Sequence, residues 1–179
     1  MTRNYINEVA DSELVAKARR GDAGAFHDLV DRHADRLFRL AVSLVGNSAD
    51  AEDVVQETLI GAFRGLSRFE GRASVKTWLT RILVIQAAQF RRRKRPVQSI
   101  SETQPTTKDQ PAGSEAKLDV QAAMQQLSPE HRQVIVLREL EQMTYDEIAQ
   151  VLDVPQGTVE SRLSRARAAL RETLKAYLA

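Results

Sequence analysis

The chain has 179 residues, of which 42% are hydrophobic and 5% aromatic, with 8 Gly, 5 Pro, no Cys and a formal net charge of +2. That apolar content suffices for real cores, and the scarcity of Gly, Pro and aromatics favours helix over sheet. The lack of cysteine excludes a disulfide framework, a thiolate zinc site and a cysteine nucleophile, and it suits the cytoplasm.

Residues 1–20 contain no apolar h-region and carry Glu8, Asp11 and Glu13, so they do not read as a signal peptide. The longest apolar stretches, such as Ile82 to Ile85, fall far short of the ~20 residues of a spanning helix. The expectation is a soluble, intracellular chain with no membrane insertion.

In chain order, Asp11 is placed to N-cap a short helix with Leu14, Val15 and Ala18 on one face, closed by Gly21-Asp22. A longer helix follows, striped by Phe26, Leu29, Val30, His33, Leu37, Leu40, Ala41 and Leu44, and Gly46 ends it. Ser48 is the expected cap of the next helix, with Asp50, Glu52 and Asp53 favourably placed in its first turn. Its expected inner face is Val54, Val55, Leu59, Ala62 and Phe63. After a loop over Gly65–Gly71, Ser74 caps a helix carrying Val75, Trp78, Leu79, Ile82, Ile85 and Phe90, which runs into Arg91-Arg92-Arg93-Lys94-Arg95.

From Pro96 to about Glu115, Pro, Gln, Ser, Thr and Gly dominate. Such a segment buries too little apolar surface to offset the entropy of ordering, so it reads as a flexible linker. The expected organisation is all-α: two small helical domains, 1–95 and 117–179, joined by a linker over 96–116. In the second domain, Leu118–Leu127 is a first helix, and Ser128-Pro129-Glu130 starts another through Val134, Leu137 and Leu140. Thr144-Tyr145-Asp146-Glu147 is a capping box opening a short helix to Leu152. A last helix runs from about Pro155.

The short and long helices around Asp153-Val154-Pro155 have helix-turn-helix grammar. Ala149 is small enough for two backbones to approach, Asp153 tolerates a left-handed turn, and Val159 packs the second helix onto the first, with Ile148, Leu152 and Leu163 inside. The outward face is Gln156, Thr158, Glu160, Ser161, Arg162, Ser164, Arg165 and Arg167. Polar and cationic groups there suit base edges and phosphates, while Glu160 repels phosphate and suits only cytosine N4. The bland alternative is a solvated charged face.

Between Arg68 and Arg95 the sequence places nine Lys/Arg against one acid, Glu70, a local balance of +8 in a chain of net +2. Such concentration is typical of phosphate binding, and Phe69 and Trp78 within it suit stacking on unpaired bases. Trp78 also lies on the apolar stripe with Leu79 and Ile82, which favours core over a base platform, and the lesser alternative for Arg91 to Arg95 is a tail into the linker. Glu52, Asp53, Gln56 and Glu57 line the polar side of their helix; an acidic stripe repels DNA and faces solvent or a protein. His27 and His33, six residues apart on one helix, are off-face for a shared metal, and no cofactor is implied.

In combination these segments resemble the extracytoplasmic-function sigma factors of bacterial RNA polymerase. The motifs are Ala51-Glu52-Asp53-Val54-Val55-Gln56-Glu57-Thr58, Phe69-Glu70-Gly71-Arg72-Ala73-Ser74 with Thr77-Trp78-Leu79-Thr80-Arg81-Ile82, Leu127-Ser128-Pro129-Glu130-His131-Arg132, Thr144-Tyr145-Asp146-Glu147-Ile148-Ala149 and Gly157-Thr158-Val159-Glu160-Ser161-Arg162. The resemblance implies a non-enzymatic promoter-specificity subunit with a sigma-2-type and a sigma-4-type domain. It implies polymerase binding at Glu52, Asp53, Gln56 and Glu57, docked on the clamp helices of the largest subunit, with the flap as a second contact. It implies −10 element contacts from Arg68, Phe69, Arg72, Ser74, Lys76, Trp78, Arg81, Arg91 and Arg92, and −35 contacts from Thr158, Glu160, Ser161, Arg162, Ser164, Arg165 and Arg167. It also implies a linker threaded through the polymerase and regulation by a separate anti-sigma factor. Ile85, Glu160 and Ser164 depart from residues common in the family and imply a different base preference. Two other classes fit the residues: a regulator binding duplex DNA through the helix-turn-helix alone, and an interaction module that sequesters a partner.

Overall fold

The computed structural model describes residues 2–94 and 115–178, with side chains over 10–94 and 120–175. Its elements are α1 (Thr2–Arg19), α2 (Ala23–Val45), α3 (Ser48–Gly65), a 3₁₀ turn (Leu66–Arg68), α4 (Val75–Lys94), α5 (Glu115–Gln126), α6 (Pro129–Ile135), a π-helical segment (Val136–Leu140), α7 (Tyr145–Leu152) and α8 (Gln156–Leu178). No strand occurs among the described residues. Most of the expected linker, 96–114, lies outside them.

α1 to α4 form one bundle. The stripe of α2 is buried as its 3.6-residue period requires, at Leu29, His33, Leu37, Leu40, Ala41 and Leu44. Gly46 ends it in the left-handed region at φ 97°, its N–H bonding the Val42 carbonyl. α3 buries Ala51, Val54, Thr58 and Ala62 and packs against both α2 and α4, and Gly61 keeps it close to α4, since a Cβ there would lie 3.2 Å from Ile82 Cγ2. α4 buries Val75, Thr77, Leu79, Thr80, Leu83, Val84 and Ala87. Each fully buried Leu or Val contributes roughly 1.5–3 kcal/mol of transfer free energy.

Several local expectations are corrected. Asp11 is no cap: α1 begins at Thr2, and Asp11 lies within it, 4% exposed. Its carboxylate accepts from Arg32 Nη1 and pairs with His33 Nε2, each at 2.7 Å, so a partner on α2 replaces the local role. Asn47, one residue before Ser48, caps α3 by accepting from Asp50 N at 2.9 Å. Phe63 is 63% exposed rather than core; it lies one residue off the Ala62 line and meets Phe26 edge-on at 5.2 Å. Ile85 is 45% exposed, because Leu83 and Val84 take the inner face of α4. Leu140, at 60%, is turned outwards by the π-helical segment.

α5 to α8 form the second bundle around Val134, Leu137, Ile148, Val159, Leu163 and Ala166. Ser128 caps α6, accepting from His131 N, with Pro129 at the first helical position. Thr144 and Glu147 form the full capping box of α7. Asp153 takes the left-handed turn at φ 55°, ψ 51°, and the Val154 N–H bonds the Ala149 carbonyl, which brings α8 back across α7. The two bundles touch, α7 packing against α4 and α6 against α2.

Candidate nucleic-acid interface

The first surface is built on the link from α3 to α4. The Phe69 and Trp78 rings stack with centroids 4.6 Å apart and planes 37° from parallel, and both pack against the core while remaining half-buried. Trp78 is therefore both core and rim, the two roles its sequence position allowed. Arg19 of α1 fixes the link from beneath, donating to the Phe69 and Ser67 carbonyls at 3.3 Å each. Gly71, at φ 72°, makes the bend into α4. Ser74 caps α4 by accepting from Thr77 N at 3.1 Å, so its hydroxyl is already engaged.

The basic strip divides by environment. Arg68, Arg72, Arg81, Arg92 and Arg93 are exposed, Arg72 forming a 2.7 Å surface pair with Glu70. Lys94 is held by Asp50 at 2.6 and 2.7 Å. Burial raises the Asp50 carboxyl, but hydrogen bonds from Lys94 and Asn47 outweigh it and leave the group below its ordinary value. Arg91 is half-buried, and desolvation lowers its guanidinium pKa against the opposing pull of Glu130. Lys76 turns away from the loop, and its Nζ donates to the Glu141 carbonyl at 2.8 Å. Arg95 lies outside the described residues. A cleft of about 290 Å³ opens between this surface and α7, lined by Arg68, Phe69, Arg72, Thr77, Trp78 and Arg81 on one side and Gln150 and Val151 on the other.

The second surface is the N-terminal half of α8. Gln156, Glu160, Ser161, Ser164, Arg165 and Arg167 are exposed, and Thr158 and Arg162 are half-buried. Glu160 accepts from Gln156 Nε2 at 3.3 Å, which turns part of its charge along the helix. Arg167 is tied to Glu139 at 2.8 Å; that hydrogen bond, with a lesser one to Tyr145, raises its pKa. It is less available to DNA than Arg165, a distinction the sequence did not carry.

The third surface is the outer side of α3. Glu52, Asp53, Gln56 and Glu57 are all exposed there, opposite the buried Ala51, Val54 and Thr58. His33 is a core-edge residue locked to Asp11, and His27 sits on the surface 3.4 Å from Asp31. Among the described residues no three His, Asp or Glu side chains gather to hold a metal ion.

Four residues that organise these surfaces have no role assigned from sequence: Arg19, Arg36, Arg132 and Glu141. Arg132, 7% exposed, donates to the carbonyls of Met124, Leu44, Gln125 and Leu127 and to the Gln125 side chain. Burial, with Arg91 nearby, lowers its pKa to about 10.

Residues 29–97 match the family model for sigma-70 region 2, and residues 117–170 match that for sigma-70 region 4. The chain is 33% identical to the RNA polymerase sigma-H factor of Pseudomonas aeruginosa, over 97% of this chain and 98% of that one. It is 35% identical to the ECF RNA polymerase sigma factor SigM of Mycobacterium tuberculosis, over 94% and 86% of the two chains. Its fold is similar to CnrH in complex with the cytosolic domain of CnrY, at a TM-score of 0.72 and 32% identity over 93% of this chain and 98% of that one. It is also similar to the sigma factor RpoE of Bartonella quintana in complex with the anti-sigma factor NepR, at 0.69 and 32% over 84% and 96%. No described helix is long and apolar enough to cross a membrane.

Proposed function

The chain belongs to the extracytoplasmic-function sigma factors of the sigma-70 family, and we propose that its work divides between domains at 1–95 and 117–179, linked through 96–116. As a sigma factor it binds core RNA polymerase and directs initiation by recognising −35 and −10 promoter elements and assisting melting. Such proteins are initiation factors rather than catalysts.

The finer assignments rest on chemistry at each surface. Phe69 and Trp78, a half-buried ring pair beside Arg68, Arg72 and Arg81, suit a single strand, whose unpaired bases stack on aromatics while arginines hold phosphates. Arg91 and Arg92 extend that cationic edge, Lys76 adds to it only when released from Glu141, and Ser74 supports it as a cap. The exposed start of α8, with Thr158, Ser161, Ser164 and Arg165 outward, suits a major groove; Arg162 and Arg167 serve phosphates at its margin and Glu160 excludes some bases. The exposed Glu52, Asp53, Gln56 and Glu57 are unsuited to DNA and form the polymerase contact, on the clamp helices, with the second domain on the flap. A separate anti-sigma factor regulates the chain, and it works in the cytoplasm.

The observation that carries this assignment is the coexistence of an aromatic–arginine surface and a helix-turn-helix in one chain. The test is in vitro transcription with core polymerase. With the chain added, initiation appears at defined start sites on genomic promoter DNA; transcription no different from core alone would refute it. A regulator using the helix-turn-helix alone would instead bind duplex DNA tightly without polymerase.

A further inference from the structure

Besides Arg132, which donates to the Leu44 carbonyl of α2, a charged residue ties the two bundles together. Glu141, 8% exposed, ends the π-helical segment of the second bundle. Its carboxylate accepts from Arg36 Nη1 of α2 at 2.8 Å and lies 3.5 Å from Lys76 Nζ of α4. Lys76 also donates to the Glu141 carbonyl at 2.8 Å. Arg36 reaches Thr80 Oγ1 at 3.0 Å and the Lys76 carbonyl at 3.5 Å, so α2 and α4 hold Glu141 as one grip.

The backbone presents Glu141 rigidly. Its N–H bonds the Val136 carbonyl, Gln142 is left-handed at φ 55°, and Met143, 2% exposed, anchors the far side with its N–H on Leu137. A left-handed glutamine adjoining a π-helical turn is an uncommon conformation, and here it delivers a carboxylate into a cationic site.

The grip has a consequence for the surface assigned above to the −10 strand. With Glu141 seated, α7 stands over that surface, and Gln150 and Val151 close one wall of the cleft facing Phe69, Trp78 and Arg81. Lys76 is meanwhile neutralised by a carboxylate, in the way a phosphate would neutralise it. Elements named −10 and −35 lie about 25 base pairs apart, on the order of 85 Å along the duplex. Two bundles in contact through α4 and α7 do not span that distance, so binding both elements at once requires them to part.

We propose that Glu141 is an intramolecular latch: a phosphate-mimicking carboxylate that holds the two domains closed through Arg36 and Lys76 and covers the single-strand-binding surface until polymerase or DNA displaces it. The latch rests on the promoter-binding assignment above, and its position is reported separately from transcription.

Because the chain has no native cysteine, donor and acceptor dyes attach at Asp28→Cys and Ala168→Cys, both exposed sites on opposite bundles. The free, full-length protein is expected to show high energy transfer that falls when core polymerase is added. Glu141→Gln, similar in shape but uncharged, is expected to lower transfer in the free protein. It is also expected to bind a fluorescent single-stranded oligonucleotide, the non-template strand of a promoter the holoenzyme transcribes, about ten-fold more tightly than wild type. Arg36→Gln, which removes the same ion pair from the other side, is expected to act in the same direction, and Glu172→Gln, remote from the grip, is expected to change neither reading. A free wild-type protein already at low transfer, or folded Glu141→Gln and Arg36→Gln variants with wild-type transfer and affinity, would overturn the latch while leaving transcription intact. Absence of promoter-dependent transcription by the wild type would overturn the functional assignment instead, with the energy-transfer result still reporting the latch.

Discussion

Truncating Arg132 to alanine is expected to destabilise the protein by about 3–5 kcal/mol. The guanidinium satisfies four backbone carbonyls, those of Met124, Leu44, Gln125 and Leu127, at a site that is 7% exposed. A buried acceptor left without a donor costs about 1–3 kcal/mol. Water entering the vacated volume recovers part of the four-carbonyl sum, and relief of burying a cation recovers more. That cation is genuinely present at neutral pH, since burial lowers its pKa only to about 10. For a chain of this size the net loss corresponds to a melting-temperature drop of about 6–20 °C, at about 2–4 °C per kcal/mol. Arg132→Lys keeps the charge but not the planar fork, and should fall roughly midway. Far-UV circular dichroism melts and urea titrations of the three proteins measure this directly. If Arg132→Ala stays within about 1 kcal/mol of wild type, the network is not a fastening between α5, α6 and the end of α2, and the reasoning fails.

Further outcomes follow from the same geometry. Asp11 is stabilised as the anion: burial opposes the charge, but hydrogen bonds from His33 and Arg32 prevail and place its folded pKa below the ordinary 3.8. Its contribution is therefore complete above that value and lost as pH falls through and below it. Asp11→Asn should cost about 3 kcal/mol at pH 7 and flatten the acid limb of a stability–pH profile; an unchanged limb would contradict the pairing. Asp53→Ala with Gln56→Ala should weaken binding to core polymerase, measured by fluorescence anisotropy, without changing the melting temperature, since both side chains are exposed; equal affinity would remove α3 from that interface. Arg165→Ala should lose about 1–3 kcal/mol of discrimination at one −35 position if it meets a base edge. A uniform loss across sequences would mark it as a phosphate contact, and Arg167→Ala, already paired to Glu139, should show the smaller effect.

What was legible in the sequence was local. The caps at Ser74, Ser128 and Thr144, the left-handed ends at Gly46 and Asp153, and the buried stripe of α2 all follow from residues within one helical turn of each other. Misreadings came where a distant partner overrode a local preference. Asp11 looks like a cap because Asp favours caps, yet an arginine and a histidine 21 and 22 residues away on α2 draw it into a helix interior. Phe63 and Ile85 look like core because they are large and apolar, yet α3 turns Ala51 and Ala62 inward and meets α4 closely at Gly61, which leaves both large side chains exposed. The candidate DNA surfaces were visible as residue types, but not which cations remain exposed. That depends on Asp50, Glu139 and Glu141, whose partners lie 28 to 105 residues away in the chain.

The central claim is that one chain reads two separated promoter elements with two different surfaces. Selection of transcribed sequences from a randomised promoter library by core polymerase carrying this protein tests it most directly. The account predicts two enriched blocks, the upstream one altered by Arg165→Ala and the downstream one weakened by Arg81→Ala, each variant leaving the other block unchanged. A single enriched block, or none above core polymerase alone, would contradict it.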